Sequence, residues 1–249
     1  MYIGVDLGSR TVKMAVWDGE RLLEHRIIES GFEPHRQAEK MIADFRADRV
    51  VATGYGRHLA AEHFADQVIT EIKAHALGIR HQLPDCTTIV DVGGQDSKVI
   101  TLNAQGKVAH FQMNDKCAAG TGRFLEIMAA SLAYPLAEFG QAALGADQEV
   151  QINSMCTVFA ESEVISMKNR GIPRDRIARA VHSSVVNRLV AMLSRTGYGE
   201  TVAFSGGVAN NPCMVAMLGA HLVDAQVLVP DFPDITGALG AALAAAQGT

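Results

Sequence analysis

The sequence has little of what would place it in a membrane, on a nucleic acid or at a membrane surface. Its longest strongly apolar stretch, residues 237–246, is too short to cross a bilayer, which takes about 20 residues. No block of Lys and Arg occurs, and 22 basic against 27 acidic residues give a net charge of −5. These features argue against nucleic acid and membrane lipids as partners. Because the first residues already form a predicted strand, we expect no signal peptide and a cytoplasmic location.

Cysteines are few, and a P-loop is missing. The four cysteines, Cys86, Cys117, Cys156 and Cys213, form no Cys-x-x-Cys pair, and disulfides are not expected in a cytosolic chain. Free buried thiols are the default interpretation, which we keep for Cys86 and Cys213. No Gly-x-x-x-x-Gly-Lys-[Ser/Thr] string occurs, so a phosphate group would have to be bound by another kind of glycine turn.

Two glycine turns of similar sequence are what the chain does contain. Residues 88–100 are Thr-Ile-Val-Asp-Val-Gly-Gly-Gln-Asp-Ser-Lys-Val-Ile, and residues 3–16 are Ile-Gly-Val-Asp-Leu-Gly-Ser-Arg-Thr-Val-Lys-Met-Ala-Val. In both, an apolar strand ends near an Asp, glycine follows, polar residues fill the bend, and a second apolar strand begins. The repetition predicts a duplicated domain with a ligand held between its halves.

The order of predicted elements supports this duplication. With 249 residues and 48% apolar residues, the composition is that of a soluble α/β protein with one large or two small domains. The first part reads β-β-β-α-β-α-β-α, and the second part repeats the opening. We place subdomain I at residues 1–86 plus 230–249 and subdomain II at 87–229. Residues 135–152 are expected to be a less regular insertion with a short helix.

The glycine turns have the composition of a phosphate-binding site. Outward-facing backbone N–H groups form an anion nest, which a Cβ would block. Asp6 and Asp91 close the strands where they could face hydrated Mg²⁺, which keeps several waters and takes few carboxylates. Groups for terminal phosphates come from Ser9, Thr11, Lys13, Gln95, Asp96 and Lys98. A third turn, Ser-Gly-Gly-Val-Ala-Asn at 205–210, ends a strand and opens a helix, so its backbone is suited to lie against a nucleoside.

At these turns the chain resembles the superfamily of sugar kinases, heat-shock chaperones and actin. Residues 6–9 and 91–96 are similar to its two phosphate motifs, 204–209 to its adenosine motif, and 237–241 to its connecting helix. The resemblance implies an α/β, duplicated RNase-H-like (actin-like ATPase) fold, with two subdomains and a nucleotide cleft between them. It implies ATP/ADP and Mg²⁺ as ligands of Asp6, Gly8, Ser9, Arg10, Thr11, Val12, Lys13, Asp91, Gly93, Gly94, Gln95, Asp96, Lys98, Gly206, Gly207 and Asn210.

Two of the cysteines are each predicted just before a helix. At a helix N-terminus the partial positive charge favours thiolate over thiol, and thiolates suit an iron–sulfur cluster with its four Cys ligands. Cys117 and Cys156 give one chain only two such positions, whereas a symmetric dimer would offer four. On spacing alone, two unrelated small residues at helix starts explain the pattern equally well.

The longer strings around these positions resemble the activators (component A) of 2-hydroxyacyl-CoA dehydratases and the ATPase subunits of benzoyl-CoA reductase. The matching strings are residues 91–98, 114–124, 153–164 and 205–211; residues 53–57, Thr-Gly-Tyr-Gly-Arg, match a further segment whose role does not follow from the sequence. The resemblance implies a homodimer with one bridging [4Fe–4S] cluster, held by Cys117 and Cys156 of each subunit. It also implies ATP-driven, one-electron transfer from ferredoxin or flavodoxin to an iron–sulfur dehydratase or reductase, and Gln95 or Asp96 is the residue expected to orient the hydrolytic water.

Two other functions stay open at this point. A small-molecule kinase of the same superfamily would use Asp115 as general base for a substrate hydroxyl. It would transfer phosphate to a sugar, carry no colour and tolerate the loss of Cys117. A nucleotide-dependent switch, similar to a chaperone, would bind ATP without iron.

Overall fold

A computed structural model describes residues 1–147, 150–152 and 156–248. The chain forms two compact units. Met1–Cys86, Leu102–Ala109 and Pro230–Thr249 make up the first unit, and Thr87–Thr101 with His110–Val229 make up the second. Within the described residues, no helix combines the length and apolarity needed to cross a membrane.

The first unit is built on a five-stranded sheet in the order β3-β2-β1-β4-β5. Its strands are β1 (Tyr2–Leu7), β2 (Thr11–Trp17), β3 (Leu22–Glu29), β4 (Arg49–Thr53) and β5 (Gln67–Val68). Its helices are α1 (Pro34–Ile42), α2 (Arg57–His63), α3 (Glu71–Gln82) and α9 (Thr236–Gln247). β2 runs antiparallel to β1 and β3, whereas β4 runs parallel to β1 and β5. The carboxyl ends of β1 and β4 therefore meet at one edge of the sheet, where open α/β sheets bind their ligands.

Small residues let α9 pack tightly against α3 and β1. A Cβ added to Gly240 would lie 1.8 Å from the Ala74 carbonyl oxygen in α3, and one added to Gly4 would lie 2.0 Å from the Ala238 oxygen. Backbone thus meets backbone at both contacts, which only glycine permits. The small residues of this C-terminal helix thus serve close packing.

The second unit repeats the sheet of the first in the order β10-β9-β6-β7-β8. Its strands are β6 (Thr88–Val92), β7 (Ser97–Leu102), β8 (Val108–Asn114), β9 (Thr201–Ser205) and β10 (Gln226–Leu228). Its helices are α4 (Gly122–Ser131), α5 (Leu136–Leu144), α6 (Thr157–Asn169), α7 (Arg174–Thr196) and α8 (Pro212–His221). In both sheets the first two strands form an antiparallel pair and the fourth strand lies parallel to the first. The predicted duplicated RNase-H-like fold of actin-like ATPases is confirmed.

The core of the second unit lies between β6, β9 and the helices α4, α5, α7 and α8. Phe124, Phe139, Leu189 and Phe204 are almost completely buried in it. Burying side chains of this size contributes about 1.5–3 kcal/mol each. This packing fixes the ends of β6 and β9, where the second group of predicted site residues lies.

Candidate functional site

In the first unit, Asp6 and Lys13 face each other across β1 and β2. They are direct register partners, and the Lys13 Nζ lies 3.1 Å from the Asp6 Oδ2. The Asp6 side chain is 11% exposed and that of Lys13 is 20% exposed. The ammonium group thus neutralises one side of a carboxylate that still reaches solvent.

The turn between these strands is exposed at its tip and is held at its base by hydrogen bonds. The Gly8 N–H donates to the Thr11 carbonyl at 3.1 Å, and the Ser30 hydroxyl donates to the Gly8 carbonyl at 2.8 Å. Ser9 and Arg10 are exposed at the tip, whereas Val12 is fully buried in the core. Of the predicted nucleotide-binding residues here, Val12 can therefore contribute only its backbone.

In the second unit, Lys98 is a buried ammonium group between two carboxylates. Its Nζ lies 3.3 Å from the Asp91 Oδ2 and 2.5 Å from the Asp96 Oδ2, and its side chain is only 2% exposed. A buried charge is tolerated when it is paired and hydrogen-bonded. This ion triad therefore locks the turn, and it directs Asp96 inward.

Gln95 is the exposed side chain at the tip of this second turn. The Gly93 N–H donates to the Asp96 carbonyl at 2.9 Å, which closes the turn below it. Of the two residues predicted to orient a hydrolytic water, Gln95 is open to solvent and Asp96 is bound to Lys98.

The carbonyl groups of the same turn bind the start of α4. The Gly122 N–H donates to the Gly93 oxygen at 2.9 Å, and the Arg123 N–H donates to the Gly94 oxygen at 2.8 Å. The first N–H groups of a helix have no partner within the helix. Here the carbonyl groups of the turn accept their hydrogen bonds. The position of α4 is thus coupled directly to the backbone of Gly93 and Gly94.

The glycine motif after β9 also packs on β6. Gly206 has a φ of +84°, and a Cβ there would lie 2.3 Å from the Val92 carbonyl oxygen, so only glycine fits. Gly207 and Asn210 are exposed along a short 3₁₀ turn. The motif therefore presents backbone and small groups to solvent, as the prediction of nucleoside contact requires.

Asn211 and His182 hold the end of this motif in place. The Asn211 Oδ1 accepts from the N–H groups of Cys213 and Met214 at the start of α8. Its Nδ2 lies 2.9 Å from the His182 Nε2, and the His182 Nδ1 lies 2.7 Å from the Ala178 oxygen. Burial lowers the pKa of His182 to about 4, so the ring is neutral and accepts from Asn211. Sequence reasoning missed His182, since nothing in its local pattern marks it.

The four cysteines separate into two buried and two accessible residues. Cys86 and Cys213 are buried, Cys117 is half-buried, and Cys156 is exposed as the N-cap residue of α6. Cys117 lies in the loop between β8 and α4, where the Asn114 Nδ2 donates to its carbonyl at 2.9 Å. The predicted string 153–164 begins at residues 153–155, which lie outside the described residues.

The prediction of a helix directly after Cys117 is only partly right. Helix α4 begins at Gly122, because Gly120 takes a φ of +91°, outside the helical region. The Cys117 loop is instead closed by the bond from Asn114 to Ala119 at 3.1 Å. Within the described part of the chain, no three side chains of the His, Cys, Asp or Glu type gather as a metal site.

Thr53 is a further residue that sequence reasoning did not place in a site. It ends β4, pairs in register with Asp6, and is completely buried. The available signal was Thr53-Gly54 at the end of a buried strand, which parallels Ser205-Gly206 at the end of β9.

A model of the BadF/BadG/BcrA/BcrD ATPase family matches residues 3–245. The chain belongs to this family. It is 41% identical to the activator of lactoyl-CoA dehydratase of Anaerotignum propionicum, across 97% of this chain and 95% of that protein. It is 32% identical to one of the subunits of benzoyl-CoA reductase from Thauera aromatica, across 96% and 91% of the two chains.

A solved structure of a family member has the same fold. It is the activator of the 2-hydroxyisocaproyl-CoA dehydratase from Clostridium difficile with bound ADPNP. The TM-score is 0.92 at 40% identity, with 100% of this chain and 95% of that chain covered. The family membership that the motifs indicated is thereby confirmed.

Proposed function

We propose that this protein is an ATP-dependent activator that donates single electrons at low potential to an iron–sulfur dehydratase or a related reductase. It works as a homodimer around one bridging [4Fe–4S] cluster. The named relatives, an activator of a dehydratase and a component of a reductase, support this choice of partner class. Ferredoxin or flavodoxin is the proposed electron donor.

The observation that carries this proposal is the unequal burial of the cysteines. Cys117 and Cys156 are accessible, whereas Cys86 and Cys213 are buried, so only the first pair can reach a group at the surface of the unit. A [4Fe–4S] cluster takes four thiolates, and two copies related by a two-fold axis supply four. The residues present therefore fit the group in number and chemistry, and the cluster would supply one-electron redox chemistry.

An apolar surface next to Cys156 supports association at this point. Val158 and Phe159, in the first turn of α6, are each 66% exposed. Exposed apolar groups beside a functional residue commonly mark an interaction surface. We assign Val158 and Phe159 to the contact with the second copy.

The turn at Gly93 and Gly94 is the proposed route from nucleotide to cysteine. It accepts the first N–H groups of α4, and the loop with Cys117 runs directly into that helix. A change in the turn when the terminal phosphate binds or leaves would move the start of α4 and thus the loop. Gln95 is the proposed residue that orients the attacking water, while Asp96 holds Lys98.

The remaining predicted residues keep their proposed roles in binding ATP/ADP and Mg²⁺. Asp6 and Asp91 are the proposed carboxylates for hydrated Mg²⁺. The turn of Gly8, Ser9, Arg10, Thr11 and Val12, with Lys13, contacts phosphate oxygens. Gly206, Gly207 and Asn210 contact the nucleoside.

The proposal is tested by iron content, oligomeric state and colour after anaerobic purification. Wild-type protein should be a brown dimer with about four iron atoms per dimer. Cys117→Ser and Cys156→Ser should each lose iron, and Cys86→Ser, at a buried position, should keep it. Full iron content in Cys117→Ser would contradict the bridging cluster. Phosphorylation of a sugar by that variant would favour the kinase with Asp115 as base.

A further inference from the structure

The segment 53–57 has no role in the function proposed above, yet it contains an unusual buried hydroxyl. Thr53 is 0% exposed, and its Oγ1 has no hydrogen-bond partner among the described residues. A buried hydroxyl without a partner is unfavourable, because the water it loses on folding is not replaced. Such a group in a native fold calls for a ligand or another physical explanation.

Thr53 belongs to a row of three polar side chains on one face of the first sheet. Asp6 is paired in register with Lys13 on one side and with Thr53 on the other. Residues paired across neighbouring strands direct their side chains to the same face. The carboxylate of Asp6 therefore lies between an ammonium group and the unpartnered hydroxyl.

The second unit contains the same row. Asp91 is paired in register with Lys98 and with Ser205. Here the hydroxyl is bound, since the Ser205 Oγ donates to the Asp91 Oδ1 at 2.9 Å. The two rows thus share an Asp, a Lys and a hydroxyl residue, and they differ in whether the hydroxyl has a protein partner.

The turns that follow the two hydroxyl residues are also alike. Gly54 has a φ of +92° and Gly206 a φ of +84°. A Cβ on Gly54 would lie 2.6 Å from the Leu7 oxygen, and one on Gly206 would lie 2.3 Å from the Val92 oxygen. The Gly54 and Gly206 carbonyls each accept from the N–H three residues later, at 3.2 Å and 2.9 Å. Segment 53–57 is therefore the counterpart, in the first unit, of the glycine motif that starts at Ser205.

Glycines also keep space open around the Asp6 carboxylate. A Cβ on Gly54 would lie 2.4 Å from its Oδ1, and one on Gly237 would lie 3.4 Å from its Oδ2 and 3.3 Å from the His75 Nε2. Side chains at these two positions would crowd the carboxylate.

We propose that the Thr53 hydroxyl binds a water molecule of a hydrated divalent cation held by Asp6. The inference rests on the proposed function, since the cation is the one that accompanies ATP. Mg²⁺ keeps several of its waters when it binds to protein, and one water can donate to both a carboxylate and a hydroxyl oxygen. A phosphate oxygen is the less suitable occupant, because Thr53 lies beside the negative charge of Asp6 and on the side away from Lys13.

The decisive variant is Thr53→Val, which removes the hydroxyl and keeps the shape. Because that hydroxyl has no hydrogen-bond partner among the described residues, the apo protein in EDTA should gain stability, with a Tm about 2 °C or more higher. The affinity for Mn²⁺ at saturating ADP, measured from the electron paramagnetic resonance signal of free Mn²⁺, should fall roughly threefold to tenfold. The affinity for ADP in EDTA should not change, and Thr53→Ser should restore Mn²⁺ binding.

Thr88→Val is the matched control. Thr88 is also buried, but its Oγ1 accepts from the Gly199 N–H at 3.0 Å. This variant should lose apo stability and keep its Mn²⁺ affinity, the opposite of Thr53→Val on both measurements.

Three results would overturn the proposal: unchanged Mn²⁺ affinity in Thr53→Val, loss of ADP affinity in EDTA, or failure of Thr53→Ser to restore binding. The second would show a phosphate contact in place of a water contact. Wild-type protein that does not bind ADP would contradict the proposed ATPase instead. A Mn²⁺ titration without nucleotide would then still decide whether Thr53 contributes.

Discussion

In the second glycine turn, the role of each residue depends on whether its side chain is buried or exposed. Lys98 and Asp96 are enclosed and hold the second turn rigid, whereas Gln95 is exposed at its tip. The buried ion pair holds the Asp96 carboxylate beside Lys98, whereas the exposed Gln95 amide faces solvent. Chemistry at this turn is therefore expected from Gln95.

Replacing Gln95 by Ala should slow ATP hydrolysis about 100-fold, the usual effect of losing one residue that handles the reacting water. Nucleotide affinity should stay the same, since the backbone nest is intact. Steady-state ATPase assays with a separate ADP-binding titration measure both. Gln105→Ala, at another exposed glutamine, is the control, and an unchanged hydrolysis rate in Gln95→Ala would remove Gln95 from this role.

His182 should make the folded state sensitive to acid. Its pKa is lowered from 6.5 to about 4 by burial, so the unfolded chain takes up a proton at a higher pH than the folded chain does. The resulting stability is complete above pH 6.5 and is lost as the pH falls towards 4. It amounts to about 3 kcal/mol for a difference of this size.

Urea unfolding between pH 4.5 and 7.5 tests this contribution. The free energy of unfolding of the wild type should fall more steeply below pH 6.5 than that of His182→Gln. His110→Gln, at an exposed histidine, should keep the wild-type slope. Equal slopes for wild type and His182→Gln would show that the pKa of His182 is not lowered in the folded state.

At the scale of elements, strands and most helices follow from the sequence because their periodicity and end signals agree. The sequence predicts strands near 88–92 and 97–102 and helices at about 57–63 and 157–169, and β6, β7, α2 and α6 have these bounds. Helix α5 was expected only as a short helix in an irregular insertion, since Gly140 weakens its signal. That glycine is needed because a Cβ would lie 2.3 Å from the Asn211 Oδ1, a contact that local sequence does not reveal.

The candidate site was predictable where it depends on motifs and not where it depends on contacts. The two Asp–Lys pairs are visible as strand partners around glycine turns. The unsatisfied hydroxyl of Thr53 and the bonds from α4 to Gly93 and Gly94 arise only when distant segments meet. The same is true of the unequal burial of the four cysteines.

The space around two helical glycines predicts opposite effects for their replacement by alanine. Gly240→Ala places a methyl group 1.8 Å from a backbone oxygen and should destabilise the fold by about 3 kcal/mol. Gly219→Ala in α8 meets nothing within 4 Å and should stabilise it by up to about 1 kcal/mol. Thermal melts compare the two, and a Gly240→Ala protein as stable as the wild type would contradict the tight packing.

At the scale of the whole molecule, function is proposed to depend on two copies. Each chain has two accessible cysteines and an exposed apolar pair beside one of them. Both features would be completed by a second copy. The residues proposed to bind the nucleotide, by contrast, all belong to one chain, so ATP binding should be retained in the monomer.

Phe159→Asp tests whether dimer formation can be lost while nucleotide binding is kept. A buried carboxylate at the contact is strongly unfavourable, so the variant should be monomeric in analytical ultracentrifugation and should lose iron. Its apo fold and ADP affinity should be unchanged, because Phe159 is 66% exposed in the chain itself. Val223→Asp, at a position 83% exposed, should remain dimeric. A dimeric Phe159→Asp protein would move the contact elsewhere.

The position of α9 has a consequence for how the chain folds during synthesis. This helix packs against β1, the central strand of the first sheet, yet it leaves the ribosome after every other described element. The second unit has its whole sequence available before α9 appears. Until α9 is synthesised, β1 and α3 of the first unit are uncovered, so the assembly of this unit depends on long-range contacts and is slow.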